Sequence, residues 1–148
     1  MQRGLIRFIL VGGVIAGLFA MPATAMAAIR IKAIYFDPPG SDTGSNSHLN
    51  KEYVVIKNTG NQGRQLRRWK LFDQGRIHTF RFPRFKLRAN RSVKIHTGRD
   101  SDNRFNLYWD LGNYVWNNDG DRATLKTKGG RTASRCSYSS TASSPRRC

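Results

Sequence analysis

Few side chains in this chain have the types and spacing that acid–base or metal chemistry requires. The three histidines, His48, His78 and His96, are scattered, and no HxxxH, HExxH or GxSxG pattern joins any of them to a second ligand or a nucleophile. Glu52 is the one glutamate, and no neighbouring acid completes the carboxylate pair of a glycoside hydrolase. Serines concentrate near the C-terminus in SYSSTASSPRR, a low-complexity run. The densest acidic stretch is WNNDGD, residues 116–121. A calcium loop needs carboxylates at alternate positions, and more of them. Asn118-Asp119-Gly120 instead offers residues that tolerate positive φ just before a strand, so the stretch reads as a tight turn. Asp37, Asp42, Asp100 and Asp102 are assigned to solvated loops, and the histidines to solvated surface, His96 by its outward parity beside Lys94. These residues exclude an enzyme with a recognisable motif and point to no catalytic residue, no metal and no cofactor.

Charge is the strongest chemical signal. The formal net charge is +17. Residues 1–27 hold Arg3 and Arg7 and no acid, so their removal lowers it by two, to +15. Residues 64–104 carry thirteen Lys/Arg against three Asp. Such a surface attracts polyanions with strong salt dependence. Arg81, Arg84, Lys86, Arg88 and Arg91 are dense enough to form a basic strip, the candidate polyanion-binding residues. Phe82 and Phe85 interleave with them in the manner of a single-strand stacking platform, but alternation groups Phe82 with Phe80, and core packing is the preferred reading.

The N-terminus has the parts of a secretory signal. Arg3 and Arg7 form a positive n-region, residues 8–20 an apolar run, and Ala23-Thr24-Ala25 or Ala25-Met26-Ala27 a cleavage site. The apolar run is shorter than the roughly 20 residues a spanning helix needs. The expectation is a signal peptide over 1–27, a mature chain starting near Ala28, and no stable membrane insertion after cleavage. The localisation implied is secreted or extracellular, with cell-wall association as one form of it. Cys136 and Cys148 then read as a disulfide that tethers a Ser-rich tail, residues 139–148, to a domain over residues 28–138. Closing that short loop stabilises the domain by roughly 2–3 kcal/mol in the chain-entropy model.

The elements that must position these residues are strands. Period-two patterns and β-branched runs occur at 29–37, 51–58, 66–73, 77–82, 91–98, 121–127 and 131–138, with a short edge piece at 85–87 and an irregular aromatic segment at 106–116. The run 29–37 is two-faced, because Ile34 and Phe36 are apolar on the side opposite Ile29 and Ile31. Pro, Gly, Ser and Asn clusters separate the strands, and no amphipathic helix is found. The fold class is all-β, a β-sandwich of seven to nine short strands preceded by the signal peptide.

Several blocks, LNKEYVVIKNTG, LRRWKLFDQGRIHTFRFPRFKL, SVKIHTG and LYWDLGNYVWNNDGDRATL, resemble the lamin tail domain, over about residues 29–138. The chain looks like the secreted bacterial proteins that consist of little else. The resemblance implies an immunoglobulin-like β-sandwich and a binding or scaffolding module; it carries no catalytic motif. In bacteria such domains are often fused to secreted enzymes and act as attachment modules. Asn50 and Glu52 match the family's N-x-E opening, with Glu52 sharing a strand face with Val54, Ile56 and Asn58 and satisfied by backbone donors or an arginine. Asn58 ends that strand, Trp69 matches the central tryptophan, and Tyr108, Trp109 and Trp116 match the aromatic block before the Gly120 turn. Ala89-Asn90 departs from the family's Pro-Gly turn, which Asn90 can preserve in the left-handed conformation. The density of arginine is the second departure.

The sequence thus supports a non-catalytic binding module for anionic polymers, nucleic acid or anionic polysaccharide. The alternative is a structural or protein–protein interaction module that meets a surface protein through sheet edges or through the aromatic segment Tyr108–Trp116.

Overall fold

The computed structural model of the protein describes residues 28–148, and the expected signal segment lies outside the described residues. Among the described residues three sheets form. The first has the order β11-β1-β2-β7-β8, built from β1 (Ile29–Tyr35), β2 (Tyr53–Asn58), β7 (Ser92–His96), β8 (Asn106–Tyr108) and β11 (Arg146–Arg147). The second has the order β10-β9-β4-β5, from β4 (Lys70–Phe72), β5 (Thr79–Arg81), β9 (Gly120–Lys126) and β10 (Thr132–Ser139). A small ladder pairs β3 (Arg64–Gln65) with β6 (Lys86–Leu87). A short helix, α1 (Asn46–Leu49), starts at Ser45, whose hydroxyl accepts from the His48 amide. This is the immunoglobulin-like β-sandwich expected. The strands exceed nine because β3 and β11 are pieces of two residues each, too short to show a period; β6 is the edge piece expected at 85–87.

The core lies between the two large sheets. Ile31, Val54, Ile56, Val93 and Ile95 from the first face Leu71, Phe80, Ala123 and Leu125 from the second. Each fully buried Leu or Ile contributes about 1.5–3 kcal/mol. The two faces of β1 have a physical cause. The β1–β2 register shifts between Ile31 and Ala33, a bulge that reverses the parity of the strand beyond it. Ile29 and Ile31 point inward before the bulge, and Ile34 and Phe36 are buried after it.

Two connections matter for function. β8 runs parallel to β7, so the chain returns across residues 97–105 to the end of the sheet at which β7 began. The C-terminal residues do not form a loose tail. Arg146 and Arg147 pair with Ile34 and Ala33, and the Cys148 amide donates to Lys32 O at 3.0 Å. Cys136 on β10 and Cys148 beyond β11 form the disulfide, which joins the free edges of the two sheets.

Candidate functional site

The buried acids serve the fold. Glu52 is 0% exposed and precedes β2, with the inward parity of Val54, Ile56 and Asn58. Its carboxylate accepts from Thr97 Oγ1 (2.6 Å), the Val115 amide (2.8 Å) and the Trp116 amide (3.3 Å). Among the described residues no arginine reaches it; the donors are Thr97 and the backbone. Burial pushes its pKa from 4.5 up to about 7, against the pull of those three donors. Glu52 thereby ties the segment before Trp116 to the ends of β2 and β7, and Trp116 and Trp69 are both buried in the core. Asn58 closes the other end of β2. Its amide donates to Gln62 O and Leu87 O and its carbonyl accepts from the Gly60 amide.

WNNDGD is a turn. Buried Asp121 accepts from the Gln74 amide at 2.9 Å and from the Asn117 amide and side chain. Tyr138 donates to Asn117 O at 2.8 Å, and burial, then the nearby Asp121 and Glu52, raise its pKa, so it stays a donor. Only Gly120 of this turn adopts positive φ (133°), and a Cβ there would lie 3.1 Å from Tyr138 O. The left-handed residue expected at Asn90 is present, with φ 57°.

The placement of the histidines on solvated surface is corrected for two of the three. His96 is buried, because the chain around Asn50 and the ring of Tyr108 cover the outer face of β7. Its Nδ1 donates to Asn50 O (2.6 Å), its Nε2 faces Asn106 (2.9 Å), and its ring stacks on Tyr108. His48 is buried in α1 rather than in an open loop, with Nδ1 2.6 Å from the Tyr114 hydroxyl. His78 lies in the bend before β5, half-buried, and pairs with Asp73 at 2.9 Å. The three rings thus have separate partners. No group of three or more His, Cys, Asp or Glu with metal-binding proximity occurs among the described residues.

The cations are left without such partners. Among the described residues the one ion pair is His78–Asp73, and no lysine or arginine pairs with a carboxylate. Several concave surfaces collect them, and two of these are joined through the β3–β6 ladder. The first is a groove of about 720 Å³ between the segment 63–69 and the β9–β10 hairpin, lined by Arg64, Arg67, Arg68, Lys128 and Arg131, with buried Trp69 at its base. Arg68 adopts φ 66°, and its amide is tied to Phe82 O at 3.0 Å. The second is a cavity of about 230 Å³ lined by Lys86, Leu87, Arg88, Arg91, Arg104 and Phe105. The β3–β6 ladder joins the two, since Gln65 pairs with Lys86 and Arg64 with Leu87.

The family model described as Lamin Tail Domain matches residues 22–140. The chain belongs to the lamin tail domain family. No curated protein matches it. The family is one of non-enzymatic immunoglobulin-like domains, and membership suggests a role in protein interaction.

In this lamin tail domain the five candidate polyanion-binding residues do not line one concavity. Lys86, Arg88 and Arg91 line the smaller cavity. Arg81 lines a different depression, beside Lys70, Arg76 and Lys126. Arg84 is exposed and lines none of these surfaces. Phe82 is buried and Phe85 packs against the core, as alternation indicates. Within the aromatic segment Tyr108–Trp116, Val115 and Trp116 are buried and Trp109 packs edge-on to Phe80 and Trp116, while Tyr108 stacks on His96 at the outer face. Sequence reasoning missed Lys128 and Arg131 as site residues, together with Arg64, Arg67, Arg68, Arg104 and Phe105. Only the K-G-G-R pattern of the hairpin hints at the first two.

Proposed function

We propose that this lamin tail domain is a secreted, non-catalytic binding module that attaches to an anionic polymer through the basic groove. One observation carries the reading. Arg64, Arg67, Arg68, Lys128 and Arg131 converge on one concavity that no carboxylate side chain lines. Their charges are available to a ligand, and binding them releases the counterions of a polyanion. The disulfide, which persists in oxidising compartments, and the signal-like residues 1–27 support secretion. Phosphate chains and acidic polysaccharides both present the charge the groove requires.

The test is fluorescence anisotropy with labelled duplex DNA and with an anionic polysaccharide of matched charge density, across a salt series. Changing Arg64, Arg67 and Arg131 to Ser should weaken binding and flatten its salt slope, by about 0.9 for each duplex phosphate no longer neutralised. Unchanged affinity in this triple variant would sink the proposal.

A further inference from the structure

The smaller cavity differs from the groove in that its aromatic ring is exposed, whereas Trp69 of the groove is buried. Phe105 is 53% exposed, one of two large hydrophobic side chains left so open among the described residues. The other, Ile77, does not line the cavity. The parallel course of β8 explains the location of Phe105. An antiparallel hairpin after β7 would have started β8 at the opposite end of the sheet. The parallel return brings residue 105 to the end where Arg91 leads into β7. The Phe105 carbonyl accepts from the Lys94 amide at 2.9 Å, which fixes the backbone there. The Arg104 guanidinium lies over the ring, 4.6 Å from its centroid.

The chemistry of the lining selects the ligand. Lys and Arg side chains donate hydrogen bonds and cannot accept them. A sugar hydroxyl both donates and accepts, and no lining side chain here offers it an acceptor. A phosphodiester only accepts, as do the anionic groups of an acidic polysaccharide, so the donor-only lining fits both and the aromatic ring decides between them. An aromatic ring among phosphate-binding cations stacks a base, and only an unpaired base exposes its face. We infer that Phe105, with Lys86, Arg88, Arg91 and Arg104, forms a stacking subsite for a base of single-stranded nucleic acid. The backbone of that strand continues along the β3–β6 ladder into the larger groove. The inference rests on the polyanion reading and names the polymer.

The experiment uses three probes of equal length: a thymidine oligonucleotide, its abasic counterpart, and a duplex. Binding of the wild-type chain and of Phe105→Ala is measured by anisotropy at fixed salt. The wild type should prefer the thymidine strand over the abasic one. Phe105→Ala should weaken thymidine binding by roughly 5- to 150-fold, the range that removal of one stacking ring gives, with abasic binding unchanged. Phe105→Trp should retain the preference, which separates stacking from a loss of folding. Equal binding of all three probes, unmoved by Phe105→Ala, overturns this inference and leaves the polyanion reading intact. No binding to any of these probes overturns this inference, and overturns the polyanion reading as well when the anionic polysaccharide also fails to bind.

Discussion

Glu52 makes the stability of this domain depend on pH in an unusual direction. Most carboxylates in folded proteins are held below their ordinary pKa, and stability is lost on acidification. Here burial outweighs three hydrogen-bond donors and raises the folded pKa from 4.5 to about 7. The folded state therefore holds a proton between those values that the unfolded state releases. The associated stability is fully present below about pH 4.5 and is lost as pH rises through about 7. At about 1.4 kcal/mol per tenfold change in acidity, the displacement amounts to about 3 kcal/mol. The perturbation is Glu52→Gln, which removes the titration and keeps an acceptor for Thr97 and Val115. Urea unfolding, followed by tryptophan fluorescence from about pH 4 to about pH 8, gives the stability of both proteins. The two proteins differ in no other side chain, so the difference between the curves isolates Glu52. The wild type should lose about 3 kcal/mol relative to the variant across this range. A difference curve that is flat, or that rises with pH, would refute the argument. The three donors would then outweigh desolvation and hold the carboxylate ionised.

Two further outcomes concern the backbone and the disulfide. Gly120→Ala combines left-handed strain with a 3.1 Å approach to Tyr138 O, whereas Gly130→Ala at φ 83° meets nothing within 4 Å. Both should lose about 1–2 kcal/mol of stability from the strain alone, and Gly120→Ala more, seen as a lower thermal midpoint. Replacing Cys136 and Cys148 with Ser opens a loop with a sequence separation of 12 and should cost about 3 kcal/mol in urea unfolding. Wild-type protein in reductant should fall to the same midpoint.

The inward face of β2 was legible because Glu52, Val54, Ile56 and Asn58 obey a period of two with no interruption. Trp69 and Trp116 were legible because large aromatics seek the core, and Asn90 because few residues tolerate positive φ. The rest depended on neighbours distant in sequence. A bulge in β1 is set by its partner strand, so its residues show only a broken alternation. His96 has outward parity, yet Asn50 and Tyr108 cover it. Phe105 is inconspicuous in sequence until a parallel strand sets it beside Arg91. The basic residues were countable, but which of them share a concavity depends on the β9–β10 hairpin, whose Lys128 and Arg131 are far from Arg64 in the chain.

The first sheet joins the beginning of the domain to its end. Ile31 donates to Ser134 Oγ across 103 residues, and β11 pairs with β1. During synthesis β1 emerges first, and its outer edge stays open until β11 is made. Topologies of this kind fold in milliseconds to seconds, slowly for their size, because the long loops must close before the contacts form. For that interval an apolar strand is at risk of pairing with another chain. Arg30 and Lys32, which alternate with Ile29 and Ile31, place charge along it throughout the wait.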